Sequence, residues 1–396
     1  MRLSGIRVWD GTEQLGPATV EWRDGAITEV APGGTERWPD LSLVPGLIDT
    51  HVHLTGPARP GDYTYGTWPL VTTVAEQALH AAAHARRALA CGVTTVRDMA
   101  SDERPVALRR AFDAGLLDGP RVLAYGVVNM TGGHQDLFTP PDAPHRPPTA
   151  DGPDACRALV RRYARGGADG IKVMTGGGVL STGDRASWRN YTAAELDAIV
   201  DEAHALSLPV AAHAHTEAAI DAALAAGVDS IEHGTLLTAE QAATIAARGL
   251  TVAPTLVIND GIADGTVPAS PDSRAKAAAL IADRDPRLRA AVEAGVRFVL
   301  GTDTNGSMLP WGSLFAELDA MTRVLGLTAE AALTAATSHA AAAVGLGDTI
   351  GRIAAGHAAD LLVVRGRPWT RITDLSADNV VAVICRGRLM HGALPD

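Results

Sequence analysis

Cysteine is scarce in this 396-residue chain: Cys91, Cys156 and Cys385 stand far apart, with no Cys-x-x-Cys pair. That spacing excludes a thiolate zinc site and a disulfide framework, and fits a reducing compartment. Long apolar runs are missing too. Nothing approaches the roughly 18 apolar residues of a membrane span, and Met1 to Asp10 lacks the apolar segment of a secretion signal. Positive charge is outweighed: the formal net charge of −11 disfavours nucleic acid or an anionic membrane as partner. A cytoplasmic protein acting on a small molecule is expected, with homo-oligomerisation left open. Lysine is nearly absent, since Lys172 and Lys276 are the two lysines among 34 basic residues. Arginine replacement and abundant alanine suggest a GC-rich coding bias, so a surviving lysine is judged by its context.

What is present is an apolar fraction of 46%, and a length that suits a large α/β barrel with an appendage. Residues 3–44 read as short strands, with Asp24-Gly25 as a hairpin signal between Ala18–Trp22 and Ala26–Val30. From Pro45, apolar strands alternate with alanine-rich helical patterns. Eight strands are expected: Leu47–Leu54, Val93–Met99, Arg121–Gly126, Gly170–Met174, Pro209–Ala214, Ser230–Gly234, Thr251–Leu256 and Phe298–Asp303. Helical stretches include Val74–Ala90, Ala155–Arg165, Ala193–Leu206, Pro286–Ala294 and a final Ala329–Val344 capped by Thr328. The fold class is therefore α/β, a (β/α)8 barrel over 45–345. Short strands return near Ala359–Val364 and Val380–Ile384. Neither end can form a core alone, so 1–44 and 346–396 are expected to pair into one small β-sandwich. Residues 127–150 and 175–190 read as long functional loops after strands 3 and 4.

The candidate site lies at the strands' C-terminal ends. Strand 1 ends in His51-Val52-His53, whose alternation puts both imidazoles on one face. Strand 5 ends in His213-Ala214-His215, strand 6 in Glu232-His233-Gly234 and strand 8 in Gly301-Thr302-Asp303. Strand 4 carries Lys172 inside an apolar run, where burial lowers an amine's pKa. A neutral amine there can form a Schiff base, or add carbon dioxide to become an anionic carbamate that bridges two metal ions. Histidines and an aspartate converging on one barrel mouth favour the carbamate. His80 and His84, four apart on a helix, lack a completing ligand and read as packing or solvated residues. The pairs Arg86-Arg87, Arg109-Arg110 and Arg161-Arg162 read as solvated helix faces. Asp98 either orients a histidine or caps a turn.

These motifs, with Pro45–His53, Gly92–Asp98 and the tail Ile350–Leu361, resemble the amidohydrolase superfamily over essentially the whole chain. Gly170–Ser181, Met130–His134 and Asn190–Leu196 are similar to its metal-dependent Xaa-Pro dipeptidase (prolidase-like) and imidazolonepropionase-related branch, which also holds ochratoxin-type amidases. The resemblance implies that His51, His53, carboxylated Lys172 and Asp303 hold a buried ion, and Lys172, His213 and His233 an exposed one. It also implies the terminal β-sandwich and an amide substrate, a dipeptide or N-acyl amino acid. Two divalent ions about 3.5–4 Å apart, zinc by default, would share a bridging hydroxide. Asp303 would take its proton and pass it to the leaving amine, while a donor such as His134 would help stabilise the oxyanion. His215 shares a strand face with His213 and could be a ligand, but is assigned to supporting a ligand or contacting substrate, and Tyr191 and Arg185 to gripping a substrate carboxylate. Gln135, Thr175 and Thr216 depart from the family pattern and are expected to line the pocket. The alternative is a cyclic amidase or deaminase of the same superfamily. Lys172 argues against a deaminase but not against a cyclic amidase. A non-catalytic relative would lack a ligand, and a Schiff-base aldolase would not need the histidines.

Overall fold

In the computed structural model, residues 1–58, 67–143 and 146–395 are described. Pro144 and His145, part of the expected long loop 127–150, lie outside them. Among the described residues, fifteen strands form two sheets. Strands β1 (Arg2–Trp9), β2 (Gln14–Arg23), β3 (Ala26–Pro32) and β4 (Leu41–Pro45) come first. The central run is β5 (Leu47–Val52), β6 (Val93–Ser101), β7 (Arg121–Val128), β8 (Gly170–Met174), β9 (Val210–Ala214), β10 (Ser230–His233), β11 (Thr251–Ala253) and β12 (Arg297–Phe298). Last come β13 (Leu361–Arg365), β14 (Val380–Cys385) and β15 (Arg388–Gly392).

The chain's two ends do meet. They form one continuous seven-stranded sheet in the order β15-β14-β13-β4-β1-β2-β3, in which β4 joins the two ends by pairing with both β1 and β13. Asp24 and Gly25, with φ of 51° and 84°, make the tight turn between β2 and β3 that Asp-Gly favours. Alternation gives this sheet two apolar faces. Leu361, Val363, Ala382 and Ile384 enter a core shared with Ile6, Val8 and Val20. Leu362, Val364, Val383 and Cys385 instead enter the main core of the α/β part.

The second sheet is all parallel, with β5 to β12 in sequential order, as the eight apolar runs predict. It curls until its ends meet: Thr50 N–H donates to Leu300 O (2.9 Å), Asp303 N–H to His51 O (2.8 Å) and His53 N–H to Thr304 O (2.8 Å). Three expectations are corrected. The eighth strand, expected over Phe298–Asp303, is the short Arg297–Phe298. The seventh strand stops at Ala253, because the Glu317 carboxylate accepts from Leu256 N–H (2.7 Å) and Val257 N–H (2.9 Å) and starts a helix, Leu256–Asp264. The final helix breaks into Ala329–Ala335 and Ser338–Ala343. Its break serves the sheet: the Ala335 and Ala336 carbonyls accept from Leu300 N–H (3.0 Å) and Ile48 N–H (2.9 Å) at the closing seam. Thr328 caps the first half, as expected. Among the described residues no helix is long and apolar enough to cross a membrane.

Candidate metal centre

All six expected ligands, His51, His53, Lys172, His213, His233 and Asp303, line one cavity of about 80 Å³ at the C-terminal ends of the parallel strands. Two donor groups stand out, each with its ligand atoms within 4.8 Å of one another: His213, His215 and His233, and His51, His233 and Asp303. His215 thus shares a donor group with two expected ligands. His53 presents Nε2 to Asp303 Oδ1 at 2.9 Å, with His51 Nε2 at 3.7 Å from the same oxygen.

Four of the rings, those of His51, His213, His215 and His233, are aimed by a bond on the far side, so that the other nitrogen faces the cavity. His51 Nδ1–H donates to Glu232 Oε2 (2.7 Å), and His213 Nε2–H to Gly177 O (3.2 Å). His233 Nδ1 meets Thr255 Oγ1 (2.7 Å), and His215 Nδ1 meets Thr235 Oγ1 (2.8 Å). Backbone strain supports the aim. His233, Thr255 and Asp303 take φ of 72°, 47° and 58°, a region where non-glycine residues cost on the order of 1–3 kcal/mol each.

Burial sets the charge states. It holds His51 down at about 4, His215 at about 3, and His213 and His233 well below the usual histidine range, so all four rings are neutral donors at pH 7. Burial also brings the Lys172 amine down to about 8. For Asp303, burial opposes ionisation, but His51, His53 and Lys172 outweigh it and hold the carboxyl well below its ordinary value. Neutral imidazoles, an ionised carboxylate and a buried amine suit a divalent ion. So does the buried Nδ1 of His53, which has no hydrogen-bond partner among the described residues.

Behind the ligands lies a buried polar network that sequence reasoning passed over. Arg97 donates through Nη2 to Glu232 Oε1 (2.8 Å), through Nε to Thr50 O (2.6 Å) and through Nη1 to Ser230 Oγ (3.2 Å). Burial alone would push Glu232 up, yet Arg97 and His51 bring it to about 2. Asp49 ties β5 to the segment after β12 by accepting from Thr302 Oγ1–H (2.7 Å) and from the N–H groups of His51 and Thr302. The available signal was a charge inside an apolar strand run, in Arg97 and Glu232 alike.

A model of the amidohydrolase family matches residues 42–390. The chain belongs to the amidohydrolase family. This amidohydrolase is 32% identical over 366 residues to the ochratoxinase of Aspergillus niger, covering 87% of this chain and 74% of that one. Among solved structures, it is similar to a Xaa-Pro dipeptidase with methionine bound in the active site, at TM-score 0.86 and 30% identity over 98% of both chains. A prolidase complexed with N-methylphosphonate-L-proline matches at TM-score 0.88 and 31% identity, again over 98% of each. The chain is accordingly a hydrolase of C–N bonds.

The amidohydrolase cavity also takes in His134, His215, Gln135 and Asn305, with an apolar wall that includes Phe138, Val179, Leu180, Ile258 and Ile262. The two residues expected to grip a carboxylate stand elsewhere. Tyr191 is buried in the core with its hydroxyl donating to Ala150 O (3.3 Å), and exposed Arg185 lies over the Trp188 ring. Of the three departures from the family pattern, Gln135 lines the cavity. Thr175 Oγ1–H donates to His213 O (2.9 Å), and Thr216 caps the helix Glu217–Ala226. Asp98 Oδ2 accepts from Leu54 N–H (2.7 Å), fixing the backbone beside His53. His80 and His84 form no ligand pair. His80 Nδ1 accepts from Ala58 N–H, and His84 Nδ1 from Trp311 Nε1–H.

Proposed function

We propose that this chain is a two-metal hydrolase on a (β/α)8 barrel, cleaving the amide bond of a dipeptide or an N-acyl amino acid. One observation carries the reading: a buried lysine amine, Lys172, lines the same cavity as six histidines and Asp303. His51, His53, Lys172 and Asp303 would hold one ion, and Lys172, His213 and His233 the other, with Lys172 made anionic by adding carbon dioxide. Such ions, zinc by default, supply a water that ionises near pH 7 and a Lewis acid for the carbonyl. Asp303, ionised despite its burial, accepts the attacking water's proton on its carboxylate and returns it to the leaving nitrogen. His134 and His215, on the cavity wall, contact the substrate. The apolar wall suits the hydrocarbon part of an acyl group or side chain. Support for the substrate class comes from the relatives: an ochratoxinase, a Xaa-Pro dipeptidase holding methionine and a prolidase holding a proline phosphonate.

The test joins metal content to turnover. Purified protein should carry about two divalent ions per chain. It should release an amine from members of a panel of dipeptides and N-acyl amino acids, and lose that activity on chelation. Full activity after complete metal removal would falsify the reading.

A further inference from the structure

Asn305 lines the cavity two residues beyond Asp303 and is buried, with a relative exposure of 4%. Its amide oxygen, Oδ1, accepts from Ser307 N–H (3.0 Å), Met308 N–H (2.8 Å) and Ser307 Oγ–H (3.1 Å). Backbone N–H groups only donate, so the atom facing them is the oxygen and not the amino nitrogen. The amino group, Nδ2, is thereby turned away from them. It has no hydrogen-bond partner among the described residues, yet it is not one of the unpartnered polar atoms sealed inside the protein. It opens onto the cavity.

Packing holds that group still. Gly306 N–H donates to Leu309 O (3.0 Å), and Thr304 Oγ1–H donates to the same oxygen. Gly306 has a φ of 72°, and a Cβ there would lie 2.2 Å from His84 Nδ1, so the turn is seated against the helix Val74–Ala90. The His84 ring is itself pinned by Trp311 Nε1–H (2.9 Å). A turn of this kind needs only a side-chain oxygen, which aspartate or serine would also supply. The amino group is surplus to the turn. What it adds is a neutral donor with a fixed aim.

We infer that Asn305 is a substrate-binding residue whose Nδ2 donates to the carboxylate of the amino acid released on cleavage. The ligand's identity rests on the hydrolase reading above; the orientation of the amide does not. In that reading Asp303 serves the leaving nitrogen, so Asn305, two residues on, stands beside the half of the substrate that carries the carboxylate. Tyr191 and Arg185 are not there to take it. Among the described residues no arginine lines the cavity, and Lys172 is committed to the proposed metal centre. A carboxylate only accepts, and a hydrogen bond to a charged oxygen is stronger than one to a neutral oxygen.

The experiment uses the metal-loaded enzyme and reads binding by titration calorimetry. The probes are L-methionine, L-proline and L-phenylalanine, each beside its primary amide. Asn305→Asp keeps the turn, because its Oδ1 still accepts from Ser307 and Met308, and changes the group facing the cavity from donor to anion. Affinity for the acids should fall by about 10- to 100-fold. Affinity for the amides should hold, since an amide N–H can donate to the new carboxylate. An unchanged ratio of the two affinities overturns the inference, as does wild-type protein that binds none of the acids. Should Asn305→Asp fail to fold or to load metal, Asn305→Ser keeps an oxygen for the turn and removes the amino group. It should weaken the acids about tenfold and the amides less; equal loss counts against the carboxylate. The same proteins are then assayed for cleavage of the N-acetyl derivatives of the three amino acids. Wild type that shows the expected binding but cleaves no amide sinks only the hydrolase reading. Cleavage with an unchanged affinity ratio sinks only the role of Asn305.

Discussion

Lys172 shows how burial changes the acid–base character of an ordinary side chain. Its amine, brought down to about 8, is mostly protonated below that pH and neutral above it. Carbon dioxide adds only to the neutral form: an N–C bond forms and a proton leaves. The sign of the pH dependence follows. At a fixed concentration of dissolved carbon dioxide, metal-stripped enzyme should regain activity with added metal faster as pH rises. The rate should climb about tenfold per unit well below pH 8 and level off above it. A flat profile between pH 6 and 9 would remove the carbamate from the argument (roughly a hundredfold change is expected across its acidic side). Lys172→Ala serves as the control. It should lose activity at every pH and recover part of it with short carboxylic acids, which replace the missing anion without carbon dioxide.

Among the elements, the link from β4 to β5 has a physical reason that the sequence displays only as a motif. Gly46 N–H donates to Asp360 O (2.9 Å), and a Cβ at this glycine would lie 2.2 Å from Thr94 Oγ1 and 2.4 Å from Thr94 Cγ2. Since β5 pairs with β6 from Leu47↔Val93 onward, Gly46→Ala must push apart the strand that carries His51 from its neighbour. A loss of about 1–3 kcal/mol in stability is expected, with weakened metal binding; unfolding by denaturant with and without chelator measures both. An alanine variant as stable as the wild type would show that Thr94 can move aside. The eight parallel strands were legible because each is a short apolar run with turn residues around it. The meeting of the candidate ligands in one cavity was legible because strand alternation and the C-terminal ends of parallel strands predict where such residues stand. Other features depend on distant partners. Nothing within Ala329–Val344 reveals that the Ala335 and Ala336 carbonyls are claimed by Leu300 and Ile48, and nothing in Thr255–Val257 reveals Glu317. Tyr191 read as a site residue because it follows a functional loop, yet the loop turns it into the core.

For the molecule as a whole, the question is whether the terminal sheet is an attached module or part of one structure. Its outer ion pairs say little, since exposed pairs such as Arg388 with Asp118 contribute about 0–1 kcal/mol. The apolar contacts decide it. Leu362 and Val364 of β13, and Val383 and Cys385 of β14, belong to the same buried cluster as Val93, Val96 and Leu89 of the α/β part. Leu362 packs so closely that a Cβ on Gly92 would stand 2.8 Å from its Cδ2. Alternate residues of those same strands, Leu361, Val363, Ala382 and Ile384, close the terminal sheet's own core. One sheet thus supplies a wall to two cores, and neither core is complete without it. Leu362→Ala removes a fully buried side chain from the shared wall and should cost about 2–5 kcal/mol. Scanning calorimetry of wild type and variant should therefore give a single transition that moves down as a unit. Two resolved transitions, with only one displaced by the substitution, would mean that the terminal sheet and the α/β part fold separately.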